Sequence, residues 1–526
     1  MTKDVLVGID AGTSMMKAVA FDLEGRQVAV ASLPNRYVEL GDGGVEQDMA
    51  ATWEDAAGVL RRLGEAVPDL KGRVAALAVT GQGDGTWLVG EAGGPAAPAW
   101  LWLDSRASGI VADLRKGEAG RRFHELTGAG LNACMQGAHL AWMARHRPDV
   151  LDRAACAMHC KDWLYVNLTG VRATDPSEGS FTFGDFRKGS YAPEILDILG
   201  IASCRRLLPP IVDGVRTHHK LTEDAARAVG LLPGTPVVLA YVDVICTGLG
   251  GGLYDPVRTV GCTVLGTTGM HMRVAHGLDQ IALNPAHTGY TMFLPAPDTW
   301  AQMQSNMAAT LNIDWLVRRA EEVLTLFGDA PDRREILQRL DGMVADAEPG
   351  KVLYHPFIHE AGERGPFVDP FARAQFLGLT MNAGFVDLMR GVYEGLGFAA
   401  RDCYAAMGDL PEEVRLAGGA ARSRALRRIL AACLNRPVRT SHREEAGAAG
   451  AAMTAAMALG HYDDLAACCA EWVEPTLGEP EAPDPALAAR YDALFPVYRE
   501  GYRRMVPVWP DLHAARRPKA VKETPP

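Results

Sequence analysis

An α/β fold built from two similar halves is predicted by three features of the 526-residue sequence. Short apolar strands alternate with helical stretches, each half carries a strand, a Gly/Thr turn and a second strand, and long helical segments follow in the second half. The length suits two large domains, or three to four of ordinary size.

Taken in order, Val5–Ile9, Lys17–Phe21 and Gln27–Ala31 are strand-like runs separated by turn signals at Ala11-Gly12-Thr13 and Asp22–Gly25, and they read as a β-meander. Thr52 is expected to cap a helix reaching about Gly64, with Glu54 and Asp55 in its first turn. Val74–Val79 is continuously apolar, as a buried parallel strand is. Val237–Val242 repeats that pattern and leads into the Gly-rich Gly248–Gly252, and Cys262–Arg273 reads as strand, turn, strand. Thr310–Ala347 has helical period, with Leu311, Trp315, Leu316, Leu324, Ile336, Leu337 and Leu340 among charges, and Phe385–Met407 is a second long helix. Arg415–Ser423 and the basic amphipathic run to Asn435 give strand, Gly-Gly turn and helix. Small residues dominate Ala446–Ala458, which suits a helix packed closely to a neighbour or ligand. Beyond Pro475 the chain turns Pro- and charge-rich, and the tail 514–526 is expected to be disordered.

Composition excludes several classes. With 48% hydrophobic and 22% charged residues the chain is neither collagen-like, coiled-coil nor mainly disordered. Lys and Arg number 53 against 64 Asp and Glu, a net charge of −11, and no basic cluster is long enough to track a phosphate backbone, so nucleic acid is not an expected partner. No 18-residue apolar run appears and Val5–Ile9 is too short for a signal peptide, so no membrane partner and a cytoplasmic location are expected. The ten cysteines form no CxxC pair and are read as reduced, mostly buried thiols; Cys156, His159 and Cys160 lack a second ligand pair at zinc-finger spacing.

Four segments carry candidate chemistry. Gly8-Ile-Asp-Ala-Gly-Thr-Ser14 sets a carboxylate and backbone amides at a tight turn after a buried strand; such amides cradle phosphate and such a carboxylate orients Mg2+, although Asp and Gly also make ordinary turns. Asp243 closes an apolar strand, where an ionised carboxylate is costly unless it is paired, faces a cleft or caps the next helix. Thr80-Gly-Gln-Gly-Asp-Gly-Thr-Trp-Leu88 lies at the end of a parallel strand, where open α/β sheets bind ligands; Gln82 and Asp84 suit a polyhydroxylated one. Trp100 and Trp102 offer either a face for the C–H side of a polyol or simple core. Gly418-Gly419 lets backbone approach a flat ring, and His271, His355 and His359 read as structural. Two halves with matching Gly/Thr turns are what a nucleotide held in a cleft between domains requires.

Taken together over residues 4 to 475, these motifs resemble the FGGY family of carbohydrate kinases, within the actin-like ATPase superfamily. Gly8–Thr13 resembles the family's first phosphate motif, Gly266-Thr-Thr-Gly269 its second, Leu416–Ser423 its adenosine motif, and Gly362–Pro366 with Phe376–Leu379 its second-domain signature. The resemblance implies two actin-like (ribonuclease H-like) α/β domains with a central ligand cleft. Residues 1–245 would be an N-terminal domain holding polyol, residues 246–475 a C-terminal domain holding ATP, and residues 476–526 an extension. Val79–Leu88, Cys160–Tyr165, Thr174–Ser177 and His359–Pro366 resemble members whose acceptor is a four-carbon polyol, erythritol.

Carried residue by residue, the resemblance makes Asp243 the catalytic base and Asp10 the carboxylate that positions Mg2+ and ATP. Gly12, Thr13, Gly266 and Thr267 match the phosphate loops, and Gly418, Gly419 and Ser423 the adenosine segment. Asp84 and Trp102 match the polyol pocket, where Gln82, Asn132 and Gln136 are further candidates. Relatives commonly carry Asn or Gln where this chain has Val244, and a substrate-contacting Tyr of glycerol kinases corresponds to Cys134, so the pocket is unusual. The expected reaction is ATP-dependent phosphorylation of a terminal hydroxyl. The alternatives are a kinase for glycerol, xylitol or xylulose, and a non-catalytic nucleotide-gated sugar sensor on the same fold. A homodimer is compatible with the family likeness.

Overall fold

The expected meander forms in the computed structural model, which describes residues 3–328 and 332–516. Strands β1 (Val5–Ala11), β2 (Met15–Asp22) and β3 (Gln27–Pro34) pair antiparallel in sequence. Helix α1 (Met49–Ala66) starts earlier than expected, because Asp48 supplies the cap: its Oδ1 accepts from the amides of Ala50 and Ala51 at 2.8 and 3.0 Å. Thr52 is inside the helix instead, its hydroxyl donating back to the Asp48 carbonyl at 2.7 Å.

Strand β4 (Val74–Gly81) lies parallel to β1, as its unbroken apolar run predicts, and sets Thr80 opposite Asp10. Helices α2 (Cys160–Thr169) and α3 (Pro176–Phe183) precede β5 (His219–Lys220) and β6 (Pro236–Leu239), completing a sheet of order β5-β6-β4-β1-β2-β3. Strand β6 ends at Leu239, three residues short of the expected limit. The Val242 amide leaves the ladder for Ser177 Oγ at 3.1 Å, and Asp243 becomes the first residue of α4 (Asp243–Gly251). The Gly-rich stretch is therefore largely helical.

Farther along come β7 (Val260–Leu265), β8 (Gly269–His276), β9 (Tyr290–Phe293) and β10 (Thr299–Asn306). The single helical span expected over 310–347 is two helices, α5 (Thr310–Phe327) and α6 (Arg333–Asp346); residues 329–331 lie outside the described residues. Next are α7 (Phe385–Ala405), β11 (Glu413–Ala417), α8 (Arg424–Leu434), β12 (Val438–Thr440) and α9 (Ala446–Ala458). The second six-stranded sheet has the order β9-β10-β8-β7-β11-β12. The Pro-rich region holds two helices for which no expectation was set, α10 (Pro485–Met505) and α11 (Val508–Arg516). Helix α11 includes 514–516 of the tail expected to be disordered; the rest of that tail is outside the described residues.

The chain divides into two contact units. The first takes the chain up to Val260, Met272–Met303 and Ser441–Leu477; the second takes Gly261–His271, Gln304–Thr440 and the chain from Gly478 onward. In the first, α9 returns late in sequence to pack on β1 and α4 at backbone distance. A Cβ built on Gly8, Gly250 or Gly450 would lie 2.1 Å from the carbonyl oxygen of Ala448, Ala446 or Cys246 respectively. The close packing that small residues suggested is thus between α9 and its neighbours. In the second unit α10 buries Tyr491, Tyr498 and Tyr502.

All ten cysteines are free thiols, nine buried and Cys134 partly so. His271 bonds Thr263 and Asn306, and His355 bonds Gln375 and the Tyr498 carbonyl, which are structural roles. Among the described residues no helix is long and apolar enough to cross a membrane.

Candidate active site

Two carboxylates stand at the end of the first sheet. Asp10 is the penultimate residue of β1, opposite Lys17 on β2, and its carboxylate rests on the first turn of α9. A Cβ on Gly447 would come within 2.5 Å of Asp10 Oδ2. Lys17 is itself paired with Glu445 at 2.7 Å. Burial raises the Asp10 pKa to about 6, Lys17 pulling it down and Glu445 pushing it up. Asp243 opens α4 after Val242, and burial pushes its pKa well above the carboxylate range. The negative charges of Asp10, Glu178 and Asp84 add to that shift, and an amide bond from Val244 opposes it. Three acids acting electrostatically on a fourth, Asp243, invite a cation.

The candidate polyol residues fall into two hydrogen-bonded groups and one outlier. Trp102 Nε1 donates to Thr13 Oγ1 at 2.7 Å, Thr13 to Gln82 Oε1 at 3.3 Å, and Gln82 Nε2 to Gln47 Oε1 at 3.1 Å. This ties the first Gly/Thr turn to the loop after β4. Asp84, held at φ 54°, accepts from Tyr290 Oη at 3.2 Å and from Cys134 Sγ at 3.6 Å, and Asn132 Nδ2 donates to that same tyrosine oxygen at 2.9 Å. Gln136 is apart from both groups: it is buried, and its Nε2 donates to the Met158 carbonyl at 2.7 Å.

Behind these residues is an ion network that motif reading missed. Lys161 is completely buried on α2, with Nζ 2.6 Å from Asp162, 2.8 Å from Asp175 and 2.8 Å from Glu178. Burial alone would lower the lysine pKa, but the three acids raise it well above normal, while burial lifts Glu178 to about 7. The network reaches both functional segments. Glu178 Oε1 accepts the Asp84 amide at 3.1 Å, and Asp175 holds Ser177, whose Oγ takes the Val242 amide beside Asp243. Asp175 also caps α3. His159, Asp162 and Glu178 lie close enough together to hold a metal ion, but the Lys161 ammonium already serves as their cation.

In the second unit the β7–β8 turn holds Gly266 and Thr267. Gly266 N bonds Thr268 O at 3.1 Å, and the carbonyls of Gly266 and Thr267 accept the amides of Thr310 and Ala309 at the start of α5. The Thr267 side chain is exposed. After β11, Gly418 takes φ 90°, with its backbone against the Leu265 carbonyl, and Ser423 caps α8 by accepting from Leu426 N at 3.0 Å. Ser423 Oγ also donates to Asp341. Gly419 and Ser423 line a cavity of about 790 Å³ with Thr310, Ile313, Asp341 and Tyr393, a volume within the range of small-molecule sites. Sequence reading found the glycine turn but not the opposite wall from α5, α6 and α7.

Two family models cover most of the chain. The N-terminal domain of the FGGY family of carbohydrate kinases matches residues 5–250, and its C-terminal domain matches residues 261–459. The chain belongs to the FGGY family of carbohydrate kinases. An erythritol kinase of Brucella abortus is 52% identical over 513 residues, 98% of each chain. A xylulose kinase of Escherichia coli is 27% identical over 509 residues, 95% of this chain and 99% of the other. Among solved structures, the FGGY fold seen here is similar to a xylulose kinase from Rhodospirillum rubrum, with a TM-score of 0.85 and 26% identity over 96% of this chain and 99% of that one.

Proposed function

We propose that the chain is an ATP-dependent kinase that phosphorylates a terminal primary hydroxyl of erythritol. The observation that carries this reading is the 52% identity to an erythritol kinase over 98% of each chain, against 27% to a xylulose kinase. In this reading residues 1–245 hold the polyol and the base, and residues 246–475 hold the nucleotide.

Phosphoryl transfer requires an aligned hydroxyl, neutralised charge and excluded water. Asp243 takes the proton of the attacking hydroxyl; a carboxylate with a raised pKa is a stronger base once ionised. Asp10 would hold Mg2+, which supplies charge neutralisation on phosphate oxygens. Its fit is chemical: a desolvated carboxylate at the first turn of a helix, within electrostatic reach of Glu445 and Asp243, is stabilised by a divalent cation. The turns at Gly12-Thr13 and Gly266-Thr267 donate to phosphate oxygens, and the cavity beside Gly418, Gly419 and Ser423 takes the adenosine. Asp84 and Asn132, with Gln82 and Trp102, hold the polyol, and Gln136 supports their segment from behind.

Polyol-dependent ADP release with Mg2+ and ATP, running erythritol beside glycerol, threitol, xylitol and xylulose, tests the reading. Highest kcat/KM on erythritol supports it. Preference for another acceptor removes erythritol but keeps the kinase, and inactivity on all five contradicts the proposal.

A further inference from the structure

We infer that Tyr290 is a positioning residue of the polyol subsite, setting the orientation of Asp84 through a one-way hydrogen-bond chain that begins at Arg115. The inference rests on the polyol-kinase reading and assigns that site a residue from a strand outside every motif described above.

The direction of the chain follows from what each group can do. A guanidinium has donors and no acceptor, so Arg115 Nη2, 2.9 Å from Asn132 Oδ1, must donate to it. That contact decides which end of the Asn132 amide is oxygen. Its nitrogen therefore donates to the Gly130 carbonyl and to Tyr290 Oη, both at 2.9 Å. With its oxygen accepting from Asn132, Tyr290 gives its own proton to Asp84 Oδ2 at 3.2 Å. The tyrosine ring is held in turn edge-on to Phe181 of α3, with centroids 5.4 Å apart and planes at 86°.

Asp84 needs such support. It sits in the left-handed backbone region at φ 54°, between Gly83 and Gly85, and its amide is taken by Glu178. Backbone contacts fix its Cα, whereas the phenol, with the Cys134 thiol at 3.6 Å from the same oxygen, bears on how its carboxylate is turned. A carboxylate that must accept from particular hydroxyls of a short polyol discriminates only if it is held in one rotamer.

The test is steady-state kinetics on the full chain with erythritol and Mg-ATP, comparing the parent with Tyr290→Phe, Asp84→Ala and the double variant. Tyr290→Phe removes one oxygen and keeps the ring against Phe181. It is expected to raise the erythritol KM about tenfold, the scale of one hydrogen bond to a charged acceptor, with the ATP KM unchanged and kcat altered less than KM. In the double variant the erythritol KM should be no higher than in Asp84→Ala alone, because the tyrosine acts through that carboxylate. An unchanged erythritol KM in Tyr290→Phe, equal rises in both KM values, or additive effects in the double variant would overturn the inference. A parent protein without erythritol turnover would instead remove the function on which it rests.

Discussion

At Asp10, the proposed Mg2+ ligand, stability is set against chemistry. Its folded pKa of about 6 stands above the ordinary aspartate value of 3.8, so at intermediate pH the folded chain keeps a proton that the unfolded chain has lost. The stabilisation from that proton is fully present below the unfolded pKa and is lost as pH rises through about 6. At neutral pH the ionised carboxylate then costs the fold on the order of 3 kcal/mol. Asp10→Asn is therefore expected to raise Tm at pH 7–8 and to leave it less dependent on pH between 4 and 7, while lowering turnover severely. Melting curves across that range check it, and equal Tm profiles for the two proteins would refute the assignment. At this scale Asp10, Asp84 and Asp243 were legible as candidates because each sits beside a Gly turn or an apolar strand. Lys161, Tyr290 and Asp341 were not. Tyr290 meets Asp84 across 206 residues and Ser423 meets Asp341 across 82, and no local spacing encodes such meetings.

Secondary-structure elements were legible where their period was clean. Strands β1, β2, β4 and helix α7 carry uninterrupted patterns, and the structure departs from them by a few residues at the ends. Helix α10 was missed although Ala488, Tyr491, Phe495, Tyr498 and Tyr502 repeat at helical spacing; Pro485, Pro496 and the intervening charges mask the pattern. The composition of α9 was informative in another way. Its small residues let α4 and β1 approach at backbone distance, which holds Asp243 and Asp10 on elements packed to a common helix within the first unit. Gly250→Ala would drive a methyl group against the Ala446 carbonyl and is expected to destabilise the protein by about 3 kcal/mol. Denaturant unfolding measures this, and a cost below about 0.5 kcal/mol would show that the helices can separate.

On the scale of the molecule, each unit carries part of the proposed phosphoryl-transfer machinery: the acids, the Gly12-Thr13 turn and the candidate polyol groups in the first, the Gly266-Thr267 and Gly418-Gly419 turns and the cavity beside Ser423 in the second. The order of the motifs led to an expected boundary after residue 245, and the chain first leaves the first unit at Val260. The interleaving did not show itself, because Ser441–Leu477 returns to the first unit through contacts between α9, β1 and α4 that have no signature beyond small side chains. In the proposed reaction Asp243 is the group that takes the proton of the attacking hydroxyl. Asp243→Asn keeps the size of the side chain and removes the base, so ATP binding by calorimetry and erythritol-dependent ADP release on the same preparation test it most directly. ATP affinity within about twofold of the parent, with turnover lower by roughly 10²–10⁴-fold, is the predicted result. Near-normal turnover in Asp243→Asn would contradict the account.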